Sequence, residues 1–307
     1  MIFDPKIFYQ TYLQDYHKIK ATYLKKMIDE LTKFEIEVFG KEQSHEEQKT
    51  FKRVLLCDLR QTYFHSIETF FELFFALNPQ GKKYFDDEYI LYQLTNSDWR
   101  KNLKKIENIA LNKEALGFLN DKMTFLGFDI TVGQYIFYMG IFNRKLLPQN
   151  VFDNMEDSME AIKYGIQVLA NDFIKKEEYN AYKHGLRIIP AVNKIIFAPV
   201  DEIERKIHFD LSNSMSYYSK GKDKDELKIN TLVFDPNRDH KMIMFCSNLI
   251  HLMIEYRKIS MDKNKGDKKK EKFPIIFFGR NEIDECNKTN VEIQDLVYTM
   301  KIDKSGK

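Results

Sequence analysis

The stretch FKRVLLCDLRQTYFHSIETFFELFFAL, residues 51–77, decides the fold predicted for this chain. Apolar residues recur in it every three or four positions, and neither Gly nor Pro interrupts them. At about 100° per residue, this spacing gathers them on one broad face of an α-helix, with polar residues opposite. The apolar face comprises Leu56, Leu59, Tyr63, Phe64, Ile67, Phe70, Phe71, Phe74 and Leu77. The pattern therefore predicts one long core helix.

Arg60 lies in the middle of this apolar face. Its neighbours one to three turns away on the same side are Leu56, Phe64, Ile67 and Phe71. Because an unpaired buried charge is very costly, its guanidinium must find a partner. Two interpretations are open at this point. Arg60 either extends past the aromatic rings or pairs with a carboxylate, or it is held in a cleft or at a dimer seam for an anionic ligand.

The composition is that of a globular protein without a general affinity for nucleic acid. With 307 residues, 43% of them hydrophobic, the chain can bury a large core. Lys and Arg number 48 against 46 Asp and Glu, which gives a net charge of +2. The chain therefore has no overall basic field that would attract nucleic acid, and any contact with RNA must be local. Cys57, Cys246 and Cys286 are widely spaced, which favours a reducing compartment over a disulfide framework or a zinc site. We expect a cytoplasmic protein without a signal peptide or a membrane-spanning segment.

The hydrophobic periodicity predicts a mainly α fold, a helical bundle with a small β element in the C-terminal third. We expect a helical domain at residues 1–198 and an α+β extension at residues 199–307, packed on the same core. Within the extension, alternating residues predict a β-hairpin between 207–211 and 227–234. The lysine-rich stretch 261–272 has almost no apolar content and is expected to be a solvated loop.

A second polar cluster lies in the segment EEYNAYKHGLRIIP, residues 177–190. Asn180, Lys183, His184 and Arg187 are spaced so that a helix brings all four to one face. One interpretation is a solvated basic face with a satisfied histidine. The other is a binding site, because an amide, an imidazole and two cations beside tyrosines can hold a phosphate and move a proton.

Several common chemistries have no motif in this sequence. It contains no GxxxxGK[ST], GxGxxG, HExxH or GxSxG pattern. His65, Glu68 and Glu72 share one helical face, but their order reverses the Glu-x-x-His unit of di-iron bundles. We therefore predict neither a metal site nor a cofactor.

The segment RQTYFH, with Arg60 and His65 at its ends, resembles the R-x(4–6)-H signature of the HEPN superfamily. These helical domains often act as metal-independent ribonucleases, or as RNA-binding and toxin modules in bacterial defence. In that family the arginine and histidine of two protomers meet across a dimer seam, and an amide or basic residue, here Gln61, commonly follows the arginine. The phrase YNAYKHGLR is similar to segments of uncharacterised bacterial proteins of this helical type. The resemblance covers roughly residues 50–190.

The resemblance implies an RNA-binding protein or a metal-independent ribonuclease with RNA as its substrate. The density of aromatic residues exceeds what surface helices need, and it suggests a homodimer. The catalytic residues would be Arg60, His65 and His184, and the RNA-binding residues would be Gln61, Asn180, Lys183 and Arg187. A histidine would move the 2′-hydroxyl or leaving-group proton, while the cations stabilise the charge that grows on the phosphate. In a regular helix Arg60 and His65 point roughly 140° apart, so a helix irregularity or a partner protomer would have to bring them together.

The alternative is a non-catalytic helical interaction or scaffold protein. Arg60 would then pair internally, with a nearby glutamate or with the face formed by Asn180 to Arg187.

Overall fold

The computed structural model of this chain is mainly α-helical with small antiparallel sheets, which confirms the predicted fold class. The residues it describes are 5–78, 87–125, 127–139, 141, 148–184, 188–190, 194–197, 207–211, 213–223, 226–261, 275–291 and 295–301. The predicted domain boundary between residues 198 and 199 lies outside the described residues, as does all of the lysine-rich loop except Met261.

The helices follow the predicted periodicity over most of the chain. They are α1 (Pro5–Thr11), α2 (Tyr16–Asp29), α3 (Leu31–Phe39), α4 (His45–Leu77), α5 (Asp87–Thr95), α6 (Trp99–Leu111), the 3₁₀-helix η1 (Lys113–Asn120), α7 (Val132–Tyr138), α8 (Gln149–Phe173), α9 (Lys176–His184), α10 (Pro236–Met261) and α11 (Arg280–Asn287). The long helix predicted for residues 51–77 forms the greater part of α4.

The strands form three antiparallel sheets among the described residues. They are β1 (Lys122–Phe125), β2 (Phe128–Thr131), β3 (Ile188–Pro190), β4 (Lys194–Phe197), β5 (Ile207–Asp210), β6 (Ser214–Lys220), β7 (Glu226–Val233) and β8 (Asp295–Lys301). Strands β1 and β2 form one hairpin, β4 and β5 another, and the third sheet has the order β3-β6-β7-β8. The predicted pairing of 207–211 with 227–234 is wrong, because β5 pairs with β4, and β6, which intervenes in sequence, takes the place beside β7.

The chain groups into two compact units, each assembled from three separate segments. Unit 1 consists of Met1–Lys18, His65–Ile174 and Lys241–Asn287, and unit 2 of Ile19–Phe64, Lys175–His240 and Lys288–Lys307. Helices α2, α4 and α10 contribute residues to both units.

The core side of α4 is the one that the apolar spacing predicts. All nine residues of its apolar face are at most 2% exposed. In unit 1 this face supplies an aromatic cluster, with the Phe74 ring 5.5 Å from that of Phe70 and 6.1 Å from that of Phe137. Tyr138 on α7 contacts Ser158 of α8 through their hydroxyl groups, which are 2.7 Å apart. Ser158 in turn accepts a hydrogen bond from the backbone N–H of Phe278.

Helix α7 begins with a reciprocal cap. The Thr131 hydroxyl accepts a hydrogen bond from the backbone N–H of Gln134, whose side-chain oxygen accepts one from the backbone N–H of Thr131. Such a pair satisfies two N–H groups that the first helical turn leaves unbonded.

We expect Thr131→Ala to lower the free energy of unfolding by about 1 kcal/mol, because the substitution removes the hydroxyl acceptor of this cap. Urea unfolding followed by circular dichroism measures the loss. Thr131→Ser keeps the hydroxyl and is the matched control. An equal loss in both variants would show that the cap does not stabilise α7.

Candidate functional site

A group of buried charges surrounds Arg60 among the described residues of unit 2. Its Nε donates to Glu178 Oε1 at 2.8 Å and its Nη2 to Glu178 Oε2 at 3.3 Å. Its Nη1 donates to Asp239 Oδ1 at 2.6 Å. Arg238 approaches the same carboxylate oxygen, with its Nη1 3.7 Å from Asp239 Oδ1. We call these four residues the Arg60 cluster.

The Arg60 cluster brings together three helices. Arg60 comes from the apolar face of α4, Glu178 from the first turn of α9 and Asp239 from the first turn of α10. Asp235 fixes the start of α10, since its Oδ1 accepts the backbone N–H groups of Asn237 and Arg238. The start of α10 therefore places Asp239 in the first turn of the helix.

Burial decides the energetics of this cluster. The side chains of Glu178 and Asp239 are 2% and 3% exposed, and that of Arg60 is 12% exposed. Burial raises the pKa of the Asp239 carboxyl, while Arg60 and Arg238 act in the opposite direction. The ionised form of Asp239 thus depends on its two guanidinium partners. A bidentate arginine–carboxylate pair is among the stronger charged hydrogen-bond arrangements in proteins.

Aromatic rings enclose the guanidinium groups. The Arg60 Cζ atom is 5.0 Å from the centroid of the Phe64 ring and 5.6 Å from that of Tyr63. Arg238 approaches the same tyrosine, with its Cζ atom 5.7 Å from the centroid. The Phe64 ring stacks on Tyr179 of α9 at 5.4 Å. Cation–π contact adds to the ion pairs and limits access to the charges.

The sequence predicted that the buried Arg60 guanidinium needs a partner, and the structure shows its partners. The guanidinium pairs with carboxylates, as the first of the two interpretations holds, and it does so with two of them. Two cations and two anions make the cluster electrically balanced as described. Arg60 also reaches α9, the helix that begins the second polar cluster, but its contact there is Glu178.

The other predicted site residues are distributed as follows. Gln61 is half-buried on α4, and Asn180 is exposed on α9. Lys183 and His184 are the last two residues of α9, and their side chains lie outside the described residues. Arg187 lies outside them altogether. The predicted convergence of the four residues from Asn180 to Arg187 therefore stays a prediction.

His65 belongs to a different surrounding in unit 1. It is exposed, and its ring meets that of His17 edge to face, with centroids 4.8 Å apart. His17 is buried, and its Nε2 is 3.1 Å from the Thr69 hydroxyl. Helix α4 runs without interruption past both Arg60 and His65, so helical geometry keeps their side chains roughly 140° apart.

A polar network around Gln14 is a group of charged side chains in unit 1. The Gln14 amide nitrogen donates to Glu255 Oε2 and lies 3.1 Å from His251 Nδ1, and its oxygen accepts from Lys258. Burial by itself raises the pKa of Glu255, but the hydrogen bonds from Gln14 and Lys258 outweigh it and hold the pKa below its ordinary value. Glu255 is therefore an ionised acceptor, and the network links α10 to the segment before α2.

Two observations on the described part of the chain bear on metal and thiol chemistry. Across those residues, no three His, Cys, Asp or Glu side chains group in a way that could hold a metal ion. Burial raises the pKa of Cys57 and of Cys246 to about 12, so neither thiol is ionised near neutral pH. Within the described ranges, no helix has the length and apolar content needed to cross a bilayer.

The sequence predicted that Arg60 needs a partner but did not identify Glu178 and Asp239. A signal for Asp239 was present. It stands three, seven and ten residues before Met242, Cys246 and Leu249, so it falls on the apolar stripe of α10. Because Asp239 lies on the apolar stripe of α10 and Arg60 on the apolar face of α4, the two could have been predicted to form an ion pair. The sequence signal for Glu178 was weaker, because Glu177 stands beside it in the first turn of α9 and nothing in the sequence distinguishes the two.

Comparison with known proteins adds no relative from which a role could be transferred. A scan against protein-family models matches no family, and searches of the curated proteins and of the solved structures return no similar protein.

Proposed function

We propose that this chain is a non-catalytic helical interaction protein, cytoplasmic and homodimeric, in which Arg60 has a structural role. The observation that carries the proposal is the pairing of Arg60 with two buried carboxylates. An arginine that stabilises a phosphate in a ribonuclease must present its charge to the substrate. Here three of its nitrogen atoms donate to Glu178 and Asp239, and aromatic rings lie beside them.

Exposed apolar side chains support an interaction role. Ile36, Val38 and Phe39 at the end of α3 are each about half exposed, as is Val54 on α4. Exposed apolar surface, where it is contiguous, marks sites of interaction with other molecules.

The test is incubation of the purified protein with mixed RNA, with and without EDTA. We expect intact RNA in both cases. Cleavage that EDTA does not affect would overturn the proposal in favour of a metal-independent ribonuclease. Cleavage that EDTA abolishes would overturn it in favour of a metal-dependent enzyme.

A metal-independent ribonuclease is the second candidate, and one observation favours it. His65 is exposed and touches a second imidazole, that of His17. Two neighbouring imidazoles can exchange roles as acid and base in the transfer of a 2′-hydroxyl proton. On this proposal, His65→Ala abolishes cleavage, and His45→Ala, which removes an exposed imidazole at the start of the same helix, preserves it. His184→Ala tests the third predicted catalytic residue in the same assay.

A further inference from the structure

Strand β8 forms one edge of the four-stranded sheet in unit 2. Strand β8 is seven residues long and pairs along its whole length with β7, from Asp295 opposite Leu232 to Lys301 opposite Glu226. On its other side, no strand pairs with it among the residues that the structure describes. An exposed strand of this length presents a row of unpaired N–H and C=O groups that can template a further strand.

The two edge strands of this sheet, β3 and β8, differ in length and in proline content. Strand β3 forms the opposite edge, is only three residues long and ends at Pro190. A short strand that ends in proline is a common device against edge-to-edge association. Strand β8 has no proline, and its one-to-one register with β7 contains no bulge. Val297, an apolar β-branched residue, is 56% exposed in its middle.

The sequence of β8, DLVYTMK, is complementary to itself when read in the opposite direction. If two copies pair antiparallel about Tyr298, Asp295 stands opposite Lys301 of the partner subunit. Val297 then stands opposite Thr299 of the partner subunit. Opposite charges and β-branched pairs across neighbouring strands are stabilising, and each pair occurs twice under a two-fold axis. Parallel pairing in register would place aspartate against aspartate and lysine against lysine, which is destabilising.

We propose that two copies of this chain associate through β8, antiparallel and centred on Tyr298. The two four-stranded sheets then become one continuous sheet of eight strands, β3-β6-β7-β8 followed by the same order reversed. This inference rests on the homodimer of the proposed function and assigns its interface. The backbone hydrogen bonds of the joined edges hold the dimer, while the charges at positions 295 and 301 select the antiparallel register.

Charge reversal tests the register directly. We expect light scattering and sedimentation equilibrium to give a particle of twice the 36.7 kDa chain mass. Asp295→Lys alone, or Lys301→Asp alone, places like charges opposite each other twice per dimer and raises the dissociation constant about tenfold or more. The double variant Asp295→Lys/Lys301→Asp restores the opposite pairing across the two-fold axis and lowers the dissociation constant below that of either single variant. Lys220→Asp, which reverses an exposed charge on the interior strand β6, is the matched control and leaves the wild-type dissociation constant unchanged.

A single cysteine at the two-fold axis gives an independent readout. Cα atoms paired across antiparallel strands lie about 4.5 to 5.5 Å apart, within the range that a disulfide spans. Tyr298→Cys therefore forms a covalent dimer on mild oxidation, and Lys220→Cys does not.

Three outcomes overturn the inference. A wild-type chain that stays monomeric removes the dimer as well as its interface. A dimer that neither single reversal weakens, or that Tyr298→Cys fails to link, removes the β8 interface and leaves the homodimer standing. RNA cleavage by the wild type contradicts the non-catalytic function whatever the assembly. Because the double reversal carries both substitutions of the weakened variants, its recovery excludes misfolding as their cause.

Discussion

Arg60→Ala is expected to lower the free energy of unfolding by about 3–5 kcal/mol, the range typical of breaking a buried ion pair from one side. The substitution removes three hydrogen bonds and leaves Glu178 and Asp239, both almost fully buried, without their shared cation. Because burial already raises the pKa of Asp239, loss of a guanidinium partner favours its protonated form further. Urea unfolding of wild type and variant, followed by circular dichroism, measures the difference.

The matched control is Arg100→Ala, which removes an exposed arginine from α6 and should change stability by no more than about 0.5 kcal/mol. A double-mutant cycle with Glu178→Ala separates the pair from its surroundings, and a coupling energy on the order of 1–3 kcal/mol is expected for residues in direct contact. If Arg60→Ala costs no more than Arg100→Ala, the cluster does not stabilise unit 2. The structural role proposed for Arg60 then fails.

Phe74→Ala is expected to cost about 3–5 kcal/mol, the range observed when a buried phenylalanine is truncated. Phe74 is 0% exposed, and its ring lies against those of Phe70, Phe118 and Phe137. Truncation removes both the burial of the ring and its contacts with these neighbours, and it leaves a cavity that the packed helices of unit 1 fill only in part. Thermal and urea unfolding both report the loss.

Val54→Ala serves as the control for Phe74→Ala, because it deletes apolar atoms from the same helix at a position that is 55% exposed. We expect it to change stability by less than about 0.5 kcal/mol. Equal losses in the two variants would contradict the placement of Phe74 in the core.

The helical part of the fold was predictable because its signal is local. The apolar face of α4 recurs with the helical period, and the structure buries every one of its nine residues. Arg60 on that face predicted a buried charge with a partner by the same reasoning. Local periodicity could not identify the partners, because Glu178 and Asp239 lie 118 and 179 residues further along the chain. Only the packing of three helices brings them together.

Strand β6 was harder to predict because its residues do not alternate clearly between buried apolar and exposed polar side chains. Strand β6, SMSYYSK, buries serines, and the Ser216 hydroxyl lies 2.6 Å from that of Thr231 on β7. Cross-strand hydroxyl pairs of this kind stabilise a sheet without a hydrophobic pattern. Helix α11, RNEIDECN, is short and polar and buries Ile283. Neither element carries the periodicity on which the sequence predictions depend.

The interleaving of the two units has a consequence for how the protein is made. Unit 1 combines Met1–Lys18 with Lys241–Asn287, so its first segment must wait for its last while the intervening residues leave the ribosome. At typical rates of translation this interval is on the order of tens of seconds. Phe74 of α4 can pack on Phe118 and Phe137 of the middle segment early, but the surfaces of unit 1 that receive Lys241–Asn287 stay uncovered during this interval. Nascent chains of this protein should therefore depend on chaperones, and they should refold slowly from denaturant because so many of their contacts are distant in sequence.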